Sequence, residues 1–233
     1  CKESGKPEDA AKTDGAAAIT TDAQRMGYSL GASMGRQFRD DKLQVDADAL
    51  ARGVREGFTA DTLAMTDEEV RAGMQQLQKT HAERMQAEQK AAADKNLAEG
   101  QAFLKENATK EGVVTTESGL QYKIVTAGDG PKPGADDVVK VHYRGTLVDG
   151  TEFDSSYKRG EPVTFPVKGV IPGWVEALQL MPVGSKWEVY IPSELAYGPG
   201  GAGGQIGPNS TLKFEVELLS IEPTQEAAEG AKE

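Results

Sequence analysis

The chain divides into an all-helical front and a strand-rich back. This is an α+β organisation, with an N-terminal helical region and a long linker helix preceding an antiparallel sheet packed over a short helix. Three observations predict it. From about Thr20 to Asn107, Ala, Met, Gln and Glu dominate and proline is absent. From about Gly119 to Ile221 the vocabulary turns to Val, Tyr, Trp, Gly and Pro, which suits strands and turns. Nine of the fourteen aromatic residues lie between Tyr143 and Phe214, too many for loops alone.

Residues 1–19 are expected to form a flexible tether, because Glu3, Gly5, Pro7, Asp9 and Asp14 offer nothing to bury. Residues 20–65 form a helical dimerisation domain in this reading. Thr20, Thr21 or Asp22 caps a first helix to about Asp40, whose Met26, Leu30, Met34 and Phe38 recur every fourth residue. Gly27, Gly31 and Gly35 share that spacing, and each glycine costs a helix about 1 kcal/mol relative to alanine. Close helix contact would compensate. The contact is either a second copy of the chain, through Gly27, Leu30, Gly31, Met34, Gly35 and Phe38, or the next helix of the same chain. That next helix runs from Asp46 to about Phe58, with Leu50, Val54 and Phe58 on one stripe.

Residues 66–111 are the long connecting helix. Thr66 and Glu69 have capping-box spacing, and helix formers continue to about Asn107, a length of about 60 Å at 1.5 Å per residue. Val70, Met74, Leu77 and His81 mark a stripe that thins beyond Met85, so the middle is expected to be solvated. His81 on that stripe suits packing better than metal binding. Leu97, Phe103 and Leu104 restore apolar character where the next domain begins.

Residues 112–223 form that domain, and residues 224–233 a flexible tail. Leu120, Tyr122 and Ile124 alternate, as do Val139, Val141 and Tyr143, then Trp187, Val189 and Ile191, then Leu212, Phe214, Val216 and Leu218. The spacing leaves no room for βαβ crossovers, so the sheet is antiparallel. Pro172 to Leu180 is a short helix that places Trp174, Leu178 and Met181 on the sheet. Pro172 forces Ile171 toward extended backbone at its entrance. Phe153-Asp154, after Gly150 and before two serines, falls in a loop-rich stretch. Tyr143, Phe153, Phe165, Trp174, Tyr197 and Phe214 are candidates to line a greasy concave site with little acid–base equipment beyond Asp154.

A formal charge of −11 disfavours a phosphate-tracking surface, so nucleic acid is not an expected partner. No apolar run reaches the roughly 18 residues of a membrane helix. One cysteine and two distant histidines, His81 and His142, make no metal set, and no cofactor motif is present. Gly200 to Gly204 could mimic a phosphate loop, but no Gly-Lys-Ser or Gly-Lys-Thr completes it. A mobile lip over the concave site fits better.

Four motifs in order, His142-Tyr-Arg-Gly-Thr-Leu-Val-Asp-Gly-Thr-Glu-Phe-Asp-Ser-Ser, Val170-Ile-Pro-Gly-Trp, Ala196-Tyr-Gly and Phe214-Glu-Val-Glu-Leu-Leu, resemble the FK506-binding-protein class of peptidyl-prolyl isomerases. The helical half resembles the dimerising region of macrophage infectivity potentiator-like proteins. The resemblance implies a five- or six-stranded antiparallel sheet wrapped around the short helix, with a proline ring entering the hollow between them. It implies Trp174 as floor, Tyr143, Phe165 and Phe214 as walls, and Val170 and Ile171 at the entrance, the Ile171 amide donating to substrate. Phe153 and Asp154 would meet the X-Pro amide, and Tyr197 and Ile206 would close the rim. It also implies proline-containing unfolded or partly folded clients, FK506-like macrocyclic inhibitors and no cofactor. Ala202 falls where many family members carry histidine, which bears on rim contacts and substrate preference.

Cys1 followed by a polar tether resembles the mature end of a bacterial lipoprotein, and that likeness implies a lipid anchor on Cys1. Lys2 then implies sorting to the bacterial outer membrane, facing the periplasm or the cell surface. A chain that simply starts at this residue is the alternative. Two rival functions stay open: a holdase chaperone or client-binding module working through the helical half, and a surface adhesion or assembly protein using the long helix as a spacer.

Overall fold

The computed structural model describes residues 18–223, so Cys1, most of the expected tether and the 224–233 tail lie outside the described residues. The chain forms two compact units, Cys1–His81 and Ala82–Glu233, so the expected connecting element 66–111 is shared between them.

The first unit begins with helix α1, Asp22–Asp40. Thr21 caps it by accepting from the Gln24 N–H, and the Gln24 side chain accepts in return from the Thr21 N–H. Helix α2, Ala47–Thr59, is capped by Asp46, which accepts from the Ala49 N–H. Neither α1 nor α2 contains a buried residue. Met26, Tyr28, Leu30 and Phe58 are exposed, Phe58 at 87 %. A Cβ at Gly27, Gly31 or Gly35 would meet nothing within 4 Å, so among the described residues of this unit nothing packs closely on those glycines.

Helix α3, Asp67–Asn107, starts at the Thr66–Glu69 capping box. Within the second unit its last turns are not solvated all round. Ala93, Asn96, Leu97, Phe103 and Leu104 are half-buried and Gly100 and Asn107 buried: the stripe takes in the expected Leu97, Phe103 and Leu104 and adds Asn96, Gly100 and Asn107, which no apolar pattern marks. Buried Gln121 fixes the helix end by donating to the Leu104 carbonyl and accepting from Asn107.

The sheet has seven strands, β1 (Val113–Thr115), β2 (Gln121–Thr126), β3 (Val138–Leu147), β4 (Glu152–Ser155), β5 (Val163–Pro166), β6 (Lys186–Ile191) and β7 (Leu212–Glu222). Their order is β1-β2-β6-β7-β3-β4, with β5 also on β3, and every pairing is antiparallel. Seven replaces the expected five or six because the ten-residue β3 takes β5 on its first half and β4 on its second, and β1 adds three residues at the far edge. The β7 alternation holds, with Leu212, Phe214, Val216 and Leu218 all buried. The β2 alternation fails at Ile124, which is 48 % exposed beside a register shift in the β2–β6 pairing. Phe153 and Asp154 do not sit in a loop: they belong to β4, a strand too short to show a period in sequence.

Helix α4, Ser156–Arg159, is one turn ended by Gly160 in the left-handed region. Helix α5, Pro172–Leu180, carries proline at its first turn and buries Trp174, Ala177 and Leu178 in the core with Met181 just beyond. Trp174 thereby reaches the concave side of the sheet.

Candidate active site

Strand register assembles the site. Gly145 of β3 lies between Asp154 of β4 and Phe214 of β7. Phe165 of β5 is opposite Val139. A register shift between Gly145 and Thr146 lets consecutive Phe153 and Asp154 both reach the same hollow, as bulges re-aim side chains. Gly145 is required there, because a Cβ would sit 2.6 Å from the Phe153 ring and 2.8 Å from the Phe214 ring.

The hollow has a volume of about 940 Å³, within the size of small-ligand clefts. The structure brings Tyr143, Phe153, Asp154, Phe165, Val170, Ile171, Trp174, Tyr197, Ile206 and Phe214 together around it, the whole set singled out from the sequence. Trp174 is only 6 % exposed. It makes edge-to-face contacts with Phe214 at 5.1 Å, Tyr143 at 5.4 Å and Phe165 at 5.6 Å between ring centroids. Phe153 meets Phe214 in the same way at 5.6 Å. Trp174 is therefore packed among aromatic rings.

The charged groups lie on one wall, while Tyr197 and Gln205 bring polar side chains to the rim. The Tyr143 hydroxyl donates to Asp154, Arg159 also donates to Asp154, and Arg159 donates to the Tyr143 oxygen at 3.0 Å. The Ser155 N–H donates to Asp154 at 2.8 Å. Burial pushes the Asp154 carboxyl up, but the Tyr143 and Arg159 hydrogen bonds together outweigh it and hold the carboxyl below its ordinary value. Burial, then the bond to Asp154, raises the Tyr143 hydroxyl. An ionised carboxylate that already accepts from three donors makes a poor proton acceptor and a good anchor.

Arg159 was not singled out from the sequence. Its signal was a lone guanidinium five residues beyond Asp154, which a one-turn helix folds back onto the carboxylate and over the Tyr143 ring. Val163, two residues before Phe165 on β5, was also missed, because a four-residue strand shows no readable period.

At the entrance Ile171 is extended, and its carbonyl accepts from the Trp174 and Val175 N–H groups. Its own N–H has no acceptor among the described residues. Across the mouth the 200–206 segment contributes Ala202, Gly203, Gly204, Gln205 and Ile206. Gly201, Gly203 and Gly204 have positive φ, which accounts for the glycine content of this lip.

A family model described as FKBP-type peptidyl-prolyl cis-trans isomerase matches residues 130–219, and one described as the domain amino terminal to it matches residues 23–124. The chain belongs to the FKBP-type peptidyl-prolyl cis-trans isomerase family. It is 48 % identical to the outer membrane protein MIP of Legionella longbeachae over 91 % of this chain and 90 % of that one. It is 45 % identical to the FKBP-type isomerase FkpA of Aeromonas hydrophila, over 99 % of this chain and 86 % of that protein. The crystal structure of FkpA from Escherichia coli superposes with a TM-score of 0.75 at 42 % identity, covering 88 % of this chain and 99 % of that one. This FKBP-type chain is a rotamase.

Proposed function

We propose that the proline ring of an X-Pro segment sits on Trp174 and that the hollow accelerates rotation about the preceding amide without covalent chemistry. Rotation is slow because amide resonance must be lost, against a barrier of roughly 18–20 kcal/mol. The planar amide carries more charge separation than the twisted one, so an apolar enclosure favours the twisted form. The observation that carries this reading is Trp174, walled by Phe214, Tyr143 and Phe165 with the charged groups on one side only. In it Phe153, Asp154 and Tyr143 meet the amide, the free Ile171 N–H binds a substrate carbonyl, and Tyr197 and Ile206 close the rim. Turnover of an X-Pro peptide by the full chain and by a folded Phe153→Ala variant tests it. The wild type should turn over and the variant should lose most of that rate, whereas equal rates would sink the assignment.

Clients are proline-containing proteins folding outside the cytoplasm, a reading supported by the relative described as an outer membrane protein. We further propose that Gly27, Leu30, Gly31, Met34, Gly35 and Phe38 join two copies of the chain. The support is that no residue of α1 or α2 is fully buried and that Met26, Leu30, Val54 and Phe58 stay exposed, which leaves apolar surface in need of a partner. Sedimentation of the full chain should report a dimer that Gly31→Arg dissociates. A monomeric wild type would instead leave that face open to unfolded clients, as a holdase requires.

A further inference from the structure

The lip of the hollow is tied to helix α3 by two asparagines. Asn96 Nδ2 donates to the Pro208 carbonyl at 2.8 Å, and Asn209 Nδ2 lies 3.4 Å from the Ala93 carbonyl as donor in the opposite direction. Asn209 has φ 54, a left-handed conformation that asparagine tolerates better than most residues. That conformation lets its N–H donate to the Gly198 carbonyl at 2.8 Å, closing the base of the loop between Tyr197 and the start of β7. Inside the loop the Ala202 N–H donates to Ile206 and the Ile206 N–H to Gly203. The helix lies close enough that a Cβ at Gly100 would be 2.2 Å from Thr211 Oγ1, and Thr211 is only 4 % exposed.

We propose that Asn96 and Asn209 are positioning residues that hold Tyr197 and Ile206 over the hollow, so that the end of α3 sets how tightly substrate is gripped. The inference rests on the isomerase reading of the site. Neither asparagine lines the hollow: Asn96 reaches it through Pro208 and Gly207, Asn209 through Gly198. An exposed helix face needs no such contact, and a purely structural join would be served by the Gln121–Asn107 and Gln121–Leu104 bonds below it.

The test uses the full chain with Asn96→Ala, with Asn209→Gly, which keeps the left-handed backbone while removing the amide, and with Glu99→Ala on the exposed side of α3 as control. Each asparagine variant should raise KM for an X-Pro peptide by about threefold to tenfold, the factor one hydrogen bond carries, with kcat changed less than about twofold. Amide exchange at Ala202, Ile206 and Asn209 should speed up while β7 amides keep their protection, and Glu99→Ala should change neither. Unchanged KM and unchanged loop exchange would overturn the proposal. So would a KM change accompanied by equal loosening of β7, which would mark the asparagines as general stabilisers. A wild-type chain without turnover would remove the isomerase reading instead, and loop exchange alone would then decide whether the asparagines hold the lip.

Discussion

Replacing Asp154 with alanine separates an anchoring carboxylate from a catalytic base. The substitution removes the acceptor for Tyr143, for Arg159 and for the Ser155 N–H. The Tyr143 bond goes to an ionised carboxylate, but one whose side chain is 40 % exposed, so it is worth about 1 kcal/mol net. The Arg159 pair has side chains 43 % and 40 % exposed, so solvent screening limits it to about 0.2–1 kcal/mol. If the whole of that roughly 1–2 kcal/mol were spent on holding Tyr143 for the transition state, kcat/KM would fall about fivefold to thirtyfold. The assay is kcat/KM for an X-Pro peptide, with thermal unfolding run in parallel to show that the pocket persists. A fall of about a thousandfold in a folded variant would match loss of a general base and refute the reasoning. An unchanged rate would refute it equally, because the carboxylate would then contribute nothing.

Gly145→Ala places a methyl 2.6 Å from Phe153 and 2.8 Å from Phe214, an overpacking that should cost about 1–3 kcal/mol in urea unfolding and lower kcat/KM about tenfold as the rings shift. Trp174→Ala empties the floor of the core and should cost about 3–5 kcal/mol, read from the same denaturation curves. The pH profile follows from Asp154. Its folded value lies below the ordinary 3.8, so its contribution is complete above the unfolded value and is lost only as pH falls through the lower folded one. Activity should therefore stay level from about pH 5 to 8 and decline only in stronger acid, and a limb near neutrality would show that another group titrates in the site.

The helical caps and the longest strand were legible because their signals are local. Thr66 and Glu69 are three residues apart, and β7 repeats its apolar residues over seven positions. That Tyr143, Phe153, Phe165, Trp174, Tyr197 and Phe214 share one hollow was legible because they cluster in sequence as well as in space, whereas Val170 and Ile206 came from the family resemblance. What stayed hidden depends on partners distant in the chain or on very short elements. Four-residue strands β4 and β5 carry no readable period, and only pairing with β3 defines them. Nothing in the sequence marks Asn96, because its acceptor, the Pro208 carbonyl, lies 112 positions away. No pattern in the sequence marks Arg159 either, because only a single helical turn brings it back to Asp154.

Exchange NMR of an X-Pro peptide with a substoichiometric amount of the full chain tests the central claim most directly. Uncatalysed interconversion takes tens of seconds. Enclosure on Trp174 predicts cis–trans exchange faster than this by orders of magnitude, with no covalent adduct. Peptide that binds, as Trp174 fluorescence would report, yet interconverts at the uncatalysed rate would contradict the account.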